Sequence, residues 1–189
     1  MDSIPNRICV IGSSAAGKST FSRALASKLI AEYIELDSHL HGPNWQPIPE
    51  ELFIRSVRAR MASNERWVID GNYGNRARQF EDADLIIWLD YPFHTVISRV
   101  LRRTLRRLLT RESLWNGNQE SWRMLFSRES IVLWVLQTYW KRRKELPVLL
   151  SMYPESKYLR FSHPQQATKW LTLLGQAIVV KQHFTSNKP

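Results

Sequence analysis

The sequence predicts an α/β fold in which a five-stranded parallel sheet carries helices on both faces. Three observations support that expectation. Short apolar runs alternate along the chain with longer segments whose apolar residues recur at helical spacing. Three of these runs close on a carboxylate, at Asp37, Asp70 and Asp90. Between the first run and the first helical segment lies a stretch of small residues, Gly12 to Thr20, reading GSSAAGKST. Strands alternating with helices need right-handed crossovers, and ligands of such sheets bind where the carboxyl ends of the strands open. A chain of 189 residues is long enough for one well-buried core and too short for two ordinary ones, so residues 1–189 are read as a single domain.

In chain order, Arg7 to Ile11 is the first strand, and the helix after the small-residue loop carries Phe21, Ala24, Leu25, Leu29 and Ile30 at helical spacing. Tyr33 to Asp37 is the second strand. The Pro- and Gly-rich stretch from His41 to Glu51 is a loop, and Pro49 followed by two glutamates marks the start of the next helix. Arg66 to Asp70 and Leu85 to Asp90 are the third and fourth strands. Pro92 opens a long helix to about Thr110, Trp115 to Gln119 is a loop, and a second long helix covers about Glu120 to Glu145. Lys157 to Ser162 is the fifth strand, a helix beginning at Pro164 closes the fold, and the polar tail from about Thr185 is expected to be disordered.

Composition narrows the function classes. Hydrophobic residues at 43% and charged residues at 23% describe a soluble globular chain, and no apolar run approaches the roughly 20 residues that span a bilayer. Met1 to Asn6 is polar and the run after it is too short for a signal peptide, so a cytoplasmic protein is expected. The single cysteine, Cys9, excludes a disulfide framework and a zinc-bearing cysteine cluster, and its place in the first strand predicts a buried core residue. A net charge of +10 asks for a polyanionic partner. The excess is clustered, in Arg99, Arg102, Arg103, Arg106, Arg107 and Arg111, and again in Lys141 to Lys144.

The stretch Gly12, Ser13, Ser14, Ala15, Ala16, Gly17, Lys18, Ser19, Thr20 fits the phosphate-binding pattern G-x-x-x-x-G-K-[ST]. Strand, loop and helix is the arrangement the pattern needs, because backbone N–H groups and the positive end of the new helix then face one concavity. A polyphosphate fits such a concavity. Lys18 is expected to reach β and γ phosphate oxygens, and Ser19 to give its hydroxyl to Mg²⁺. Asp70 and Asp90 both end hydrophobic strands and are both candidates for the metal carboxylate. At about 100° per residue, the six arginines of the long helix fall within an arc of about 180°. Ile97, Leu101, Leu105 and Leu108 gather on the opposite side, predicting one packed face and one cationic face.

Together the segments GSSAAGKST, ELDSHLHGPNW, WVIDGNYGNR, ADLIIWLDYP with its arginine helix, and WKRRKELPVLL resemble the adenylate-kinase-like P-loop kinases. The likeness points to the bacterial topology modulation and adenylate-kinase-related group, and covers nearly the whole chain. It implies the strand order 2-3-1-4-5 and a helical lid over about residues 99–128. It implies that Asp70, beside Ser19, holds Mg²⁺ through water, ahead of Asp90. Asp37 then holds or deprotonates the acceptor, with His39, His41, Asn44 and Trp45 along that side and Arg76 facing it. Arg99 and Arg103 are implied to reach the transferring phosphate, with Arg106 next and Arg128 from the far side of the lid. Arg107 and Arg111 are expected to be solvated. The Phe-Pro pair of the adenylate-kinase motif is absent from Asp70 to Arg76, so that motif does not by itself point to AMP. His163 and Pro164 are placed beside an adenine. Trp122, Trp134, Tyr139 and Trp140 are read as packing residues.

The expected activity is ATP- and Mg²⁺-dependent phosphoryl transfer to a small-molecule acceptor of nucleotide or nucleoside type. Lys18, Arg99, Arg103 and Asp37 are the catalytic candidates, and Ser19 and Asp70 the metal candidates. Two alternatives stand beside it: a nucleotide-dependent nucleic-acid-binding or regulatory protein using the basic clusters, and an ATPase without an acceptor. No helix-turn-helix, RRM or zinc-finger pattern accompanies those clusters.

Overall fold

A computed structural model describes residues 4–71, 73, 75–127 and 130–186. Five strands, β1 (Arg7–Gly12), β2 (Glu32–Glu35), β3 (Trp67–Asp70), β4 (Leu85–Leu89) and β5 (Tyr158–Phe161), form one sheet. Their order is β2-β3-β1-β4-β5 and every pairing is parallel. Both the order and the parallel sense agree with expectation. The helices are α1 (Lys18–Leu29), α2 (Leu36–Leu40), α3 (Glu50–Ala62), α4 (Gln79–Asp82), α5 (Phe93–Thr110), α6 (Trp122–Leu125), α7 (Ile131–Leu150) and α8 (Pro164–Ser186).

Alternate residues of the central strands feed two cores. Ile8, Val10, Val68, Ile87 and Leu89 pack under α1, α5, α7 and α8, against Leu25, Val100, Tyr139 and Ala167. Cys9, Ile11, Ile69, Ile86 and Trp88 pack on the other face against Phe53, Val57 and Met61 of α3, Phe80 of α4 and Leu150 at the end of α7. Covering on both faces is why these strands read as continuous apolar runs. Cys9 is buried as expected, and burial pushes its thiol well above its ordinary value.

Four boundaries differ from expectation for local reasons. β2 ends at Glu35, and the chain turns at Leu36 into α2, where the Ser38 hydroxyl donates to Glu35 O at 2.7 Å. Asp37 therefore sits in the first turn of a short helix instead of closing a strand. The helix expected over 120–145 is two helices. Ser121 caps α6 by accepting the Met124 N–H, and the Ser127 hydroxyl and the Ser130 N–H fold the chain back before α7. α7 then runs through Pro147 to Leu150, because Leu150 is anchored in the second core. α8 reaches Ser186, past the expected start of the tail, and 187–189 lie outside the described residues.

The arginine helix starts after Pro92 and ends at Thr110, as its sequence predicts, but its packed face is turned. Val96, Val100, Thr104 and Leu108 are buried, while Leu101, Leu105 and Leu109 are exposed. The buried stripe is rotated by roughly 75° from the expected one, toward the arginines. Arg107 accounts for this. Its side chain is 13% exposed and pairs with Glu120 at 2.8 Å, so it is largely withdrawn from water where the sequence suggested a solvated residue.

Asp90 follows β4 and is 3% exposed. Its carboxylate accepts from Arg143 of α7 at 2.8 Å and from Arg160 of β5 at 2.5 Å. Asp90→Ala should lower stability by about 2 kcal/mol, the scale of losing hydrogen bonds between charged groups whose partners can rehydrate. A lower urea midpoint with an unchanged slope is the expected reading; an unchanged midpoint would show that the junction is dispensable.

Candidate active site

Gly12 ends β1 beside Leu89 of β4, where a Cβ would lie 2.6 Å from the Leu89 carbonyl oxygen, and its φ is +150°. Only a residue without a side chain lets the loop leave the sheet there. The loop closes with the Ala16 N–H on Ser13 O at 3.1 Å and hands over to α1 at Gly17, whose φ is +98°. The first-turn N–H groups of α1 have no intrahelical partner and open toward a cleft of about 730 Å³.

Ser14, Ala15, Gly17, Lys18, Ser19 and Thr20 line this cleft, with Asp37, Asp70, Arg99 and Arg103. Gly12, Ser13 and Ala16 of the loop do not line it, and Ala16 lines an adjoining cavity instead. Lys18 donates to Ser13 O at 3.2 Å, and burial lowers its pKa while Asp70 and Asp37 pull it back up. Burial raises the Asp70 carboxyl, opposed by Lys18 and the Ser19 hydroxyl. One Asp70 oxygen accepts from Tyr33 at 3.1 Å, and the other is buried without a hydrogen-bond partner. A buried carboxylate oxygen left open beside a serine hydroxyl suits a hard divalent cation that completes its shell with phosphate oxygens and water. Among the described residues no cluster of three or more His, Cys, Asp or Glu side chains could hold a metal by itself. Asp90, the alternative candidate, faces its two arginines instead.

Arg99 lies across the loop: Nη1 donates to Ala16 O at 2.7 Å, and the guanidinium sits 5.3 Å from the Tyr91 ring centre. Arg103 is desolvated, its pKa held down by burial and by Arg107, and its Nε has no hydrogen-bond partner. The charges of Lys18, Arg103 and Arg142 all register Asp37. The Tyr73 hydroxyl donates to the Asp37 carboxylate, and burial with that neighbour raises the Tyr73 pKa.

Of the residues expected beside Asp37, His41 and Trp45 line the cleft, whereas His39 bonds Ser56 and Asn44 is exposed. Arg76 pairs loosely with Glu50, away from the cleft. Trp134 lines the cleft and carries Arg142 5.7 Å from its ring centre; Trp122 and Trp140 are more than half exposed, and only Tyr139 is a core residue. Arg128 lies outside the described residues, as do Asn72 and Gly74. Sequence reasoning missed Tyr73, Trp115, Glu120 and the individual role of Arg142. The only available signal was helical phase, which sets Arg142 apart from Arg143 within one basic run.

A second cavity, of about 340 Å³, adjoins the first at Gly17, Thr20 and Arg99 and is lined by Phe21, Ala24, Tyr91, Pro164, Ala167 and Leu171. It is mostly apolar and reaches the start of α8, where Pro164 was expected and His163 is not part of the wall.

The fold recurs in solved structures. A gluconokinase from Sinorhizobium meliloti 1021 superposes with a TM-score of 0.51 at 18% identity, over 97% of this chain and 98% of its own. A shikimate kinase from Acinetobacter baumannii in complex with shikimate gives 0.54 at 19%, over 99% and 96%. A shikimate kinase from Bacteroides thetaiotaomicron gives 0.54 at 15%, over 93% and 99%. The chain shares their fold. No protein-family model and no curated protein sequence matches it.

His39 offers a pH test of the helix that carries Asp37. Burial and Arg60 lower its pKa, so the folded ring takes up its proton at a lower pH than the unfolded chain does. The unfolded chain takes up a proton as pH falls through the ordinary value of 6.5, and stability present above that pH is lost below it. His39→Gln removes this proton. Its urea midpoint should fall less steeply than wild type between about pH 7 and about pH 5; parallel profiles would contradict the assignment.

Proposed function

We propose that the chain is an ATP- and Mg²⁺-dependent kinase that phosphorylates a hydroxyl group of a small anionic acceptor. The observation that carries the reading is the set of cations around Asp37. Lys18, Arg99, Arg103 and Arg142 enter one cleft beside the phosphate-type loop, and none forms an ion pair with a carboxylate among the described residues. Partly buried cations without carboxylate partners favour anions from elsewhere. A triphosphate and a charged acceptor supply them.

In this reading the loop amides and Lys18 hold the β and γ phosphates, and the apolar second cavity takes the base. Ser19 and Asp70 would hold the metal, which when bound neutralises charge on the phosphate oxygens. Asp37, fixed by Tyr73, orients the acceptor hydroxyl and takes its proton as the new O–P bond forms. ADP leaves as the β–γ bridging bond breaks. Arg103, and Arg99 beside the loop, face the charge that develops. Arg142, desolvated on the acceptor side, takes the acceptor's carboxylate or phosphate. Gluconate or shikimate, after which the gluconokinase and shikimate kinases of similar fold are named, satisfies this requirement, and so does a nucleoside monophosphate; a neutral sugar or nucleoside does not. The nucleic-acid alternative loses much of its arginine patch, because Arg106 and Arg107 are committed to Glu112 and Glu120.

The deciding measurement is ADP release with ATP and a panel of gluconate, shikimate, nucleoside monophosphates and their neutral analogues. Turnover should be confined to anionic acceptors and should drop on the order of 10³-fold or more in Lys18→Ala and Arg103→Ala. Arg142→Met should raise the acceptor KM by roughly 10- to 100-fold with the ATP KM little changed. Asp70→Asn should weaken Mg²⁺-dependent ADP binding while metal-free binding persists. No ATP binding by wild type, or equal turnover with neutral acceptors, would overturn the reading.

A further inference from the structure

Two loops far apart in sequence are joined over the acceptor side of the cleft. One runs from His41 to Pro47 and the other from Ser113 to Gln119, each closed by its own antiparallel bridge. Each holds a single 3₁₀ turn with an asparagine in the left-handed region: Asn44 at φ +57° and Asn116 at φ +56°. Trp45 is also left-handed, at φ +60°, a conformation that a bulky side chain holds only when its surroundings impose it.

Asn118 supplies that constraint. Its carboxamide is buried, with Nδ2 donating to Gly42 O at 2.9 Å and Oδ1 accepting the Trp45 N–H at 2.9 Å. Both halves of the amide are used, each on the backbone of the other loop. Asn116 adds a bond to His41 O at 2.5 Å, and the Trp45 indole N–H points to Gln119 O at 3.4 Å. The rings follow the backbones: Trp115 stacks on His41 with centres 6.2 Å apart and meets Trp45 edge-on at 6.5 Å. His41, Trp45 and Trp115 all line the cleft, whereas Asn118 does not.

We propose that Asn118 is a positioning residue for the acceptor site. Acting from the α5–α7 connection, it sets the backbone of Gly42 and Trp45, so that the aromatic wall beside Asp37 is complete only while the two loops are joined. The same connection leaves α5, which presents Arg99 and Arg103 to the phosphate site. Nucleotide bound there is therefore felt at residues 41–47 through this connection. The nucleotide part of this inference rests on the kinase reading; the joining of the loops does not.

Hydrogen exchange on the full chain separates the two parts. Wild type, Asn118→Ala and Asn118→Asp are compared with and without AMP-PNP and Mg²⁺. Without nucleotide, Asn118→Ala should speed exchange by about tenfold or more in both 41–47 and 113–119, while β1, β3 and β4 stay as in wild type. Asn118→Asp keeps the acceptor and loses the donor, so it should fall between them; it also serves if the alanine variant does not fold. With AMP-PNP, wild type should gain protection at 41–47, and Asn118→Ala should bind the nucleotide within about twofold yet show no such gain. A merely structural role for Asn118 would leave that nucleotide-dependent protection in place. Unchanged exchange at 41–47 in both variants, or equal nucleotide protection in wild type and Asn118→Ala, overturns the proposal. If wild type fails to bind AMP-PNP, the phosphate-site reading and the nucleotide coupling fall together, and exchange without nucleotide still decides whether Asn118 joins the loops.

Discussion

A cation taken out of water is unfavourable unless something answers its charge, and the working edge of this protein is organised by that constraint. Lys18, Arg103 and Arg142 are all desolvated enough for burial to lower their pKa. Four carboxylates line the cleft, but Glu112 and Glu120 are paired with Arg106 and Arg107, which leaves Asp37 and Asp70, and one oxygen of Asp70 is left open. The cleft is thus short of negative charge. In the proposed function the phosphates and the acceptor make up the difference, and binding then recovers solvation free energy that folding gave up.

The sheet makes the crowding of like charges possible. Gly12 lets the loop pass against β4 without a side chain in the way, which brings Lys18 and Ser19 over the end of β3 and next to Asp70. Arg99 is tied to the loop by a backbone carbonyl and a tyrosine face, neither of which neutralises it. The arginines that would only have added repulsion are removed from play in a different way. Arg107 and Arg106 are matched by Glu120 and Glu112, both on the segment that follows α5.

The fold was legible in the sequence because its signals are local. Apolar strands, a glycine loop in a strand-to-helix context and Pro92 before an amphipathic helix each depend on a few neighbouring residues. The loop half of the site was legible for the same reason. The part of the cleft around Asp37 was not, since it is built from contacts across long separations, such as Tyr73 on Asp37 and Asn118 on Trp45. The turned face of α5 shows the limit of periodicity. A helical wheel assumes that arginines face water and leucines face the core. Here Glu120, itself largely shielded, draws Arg107 inward, and Leu101, Leu105 and Leu109 are left outside.

Arg142 and Arg143 are neighbours on α7 with opposite fates. Arg143 is pinned through Asp90 to the ends of β4 and β5, while Arg142 projects into the cleft beside Trp134. The pinning references the α7 backbone that carries Arg142 to the sheet, as β1 references Lys18. The tryptophan and histidine wall, by contrast, is referenced to two surface loops that hold each other. An incoming acceptor would therefore meet a charge fixed in space first and an enclosing surface second, so that capture by long-range attraction and selection by shape would fall to mechanically separate parts of one pocket.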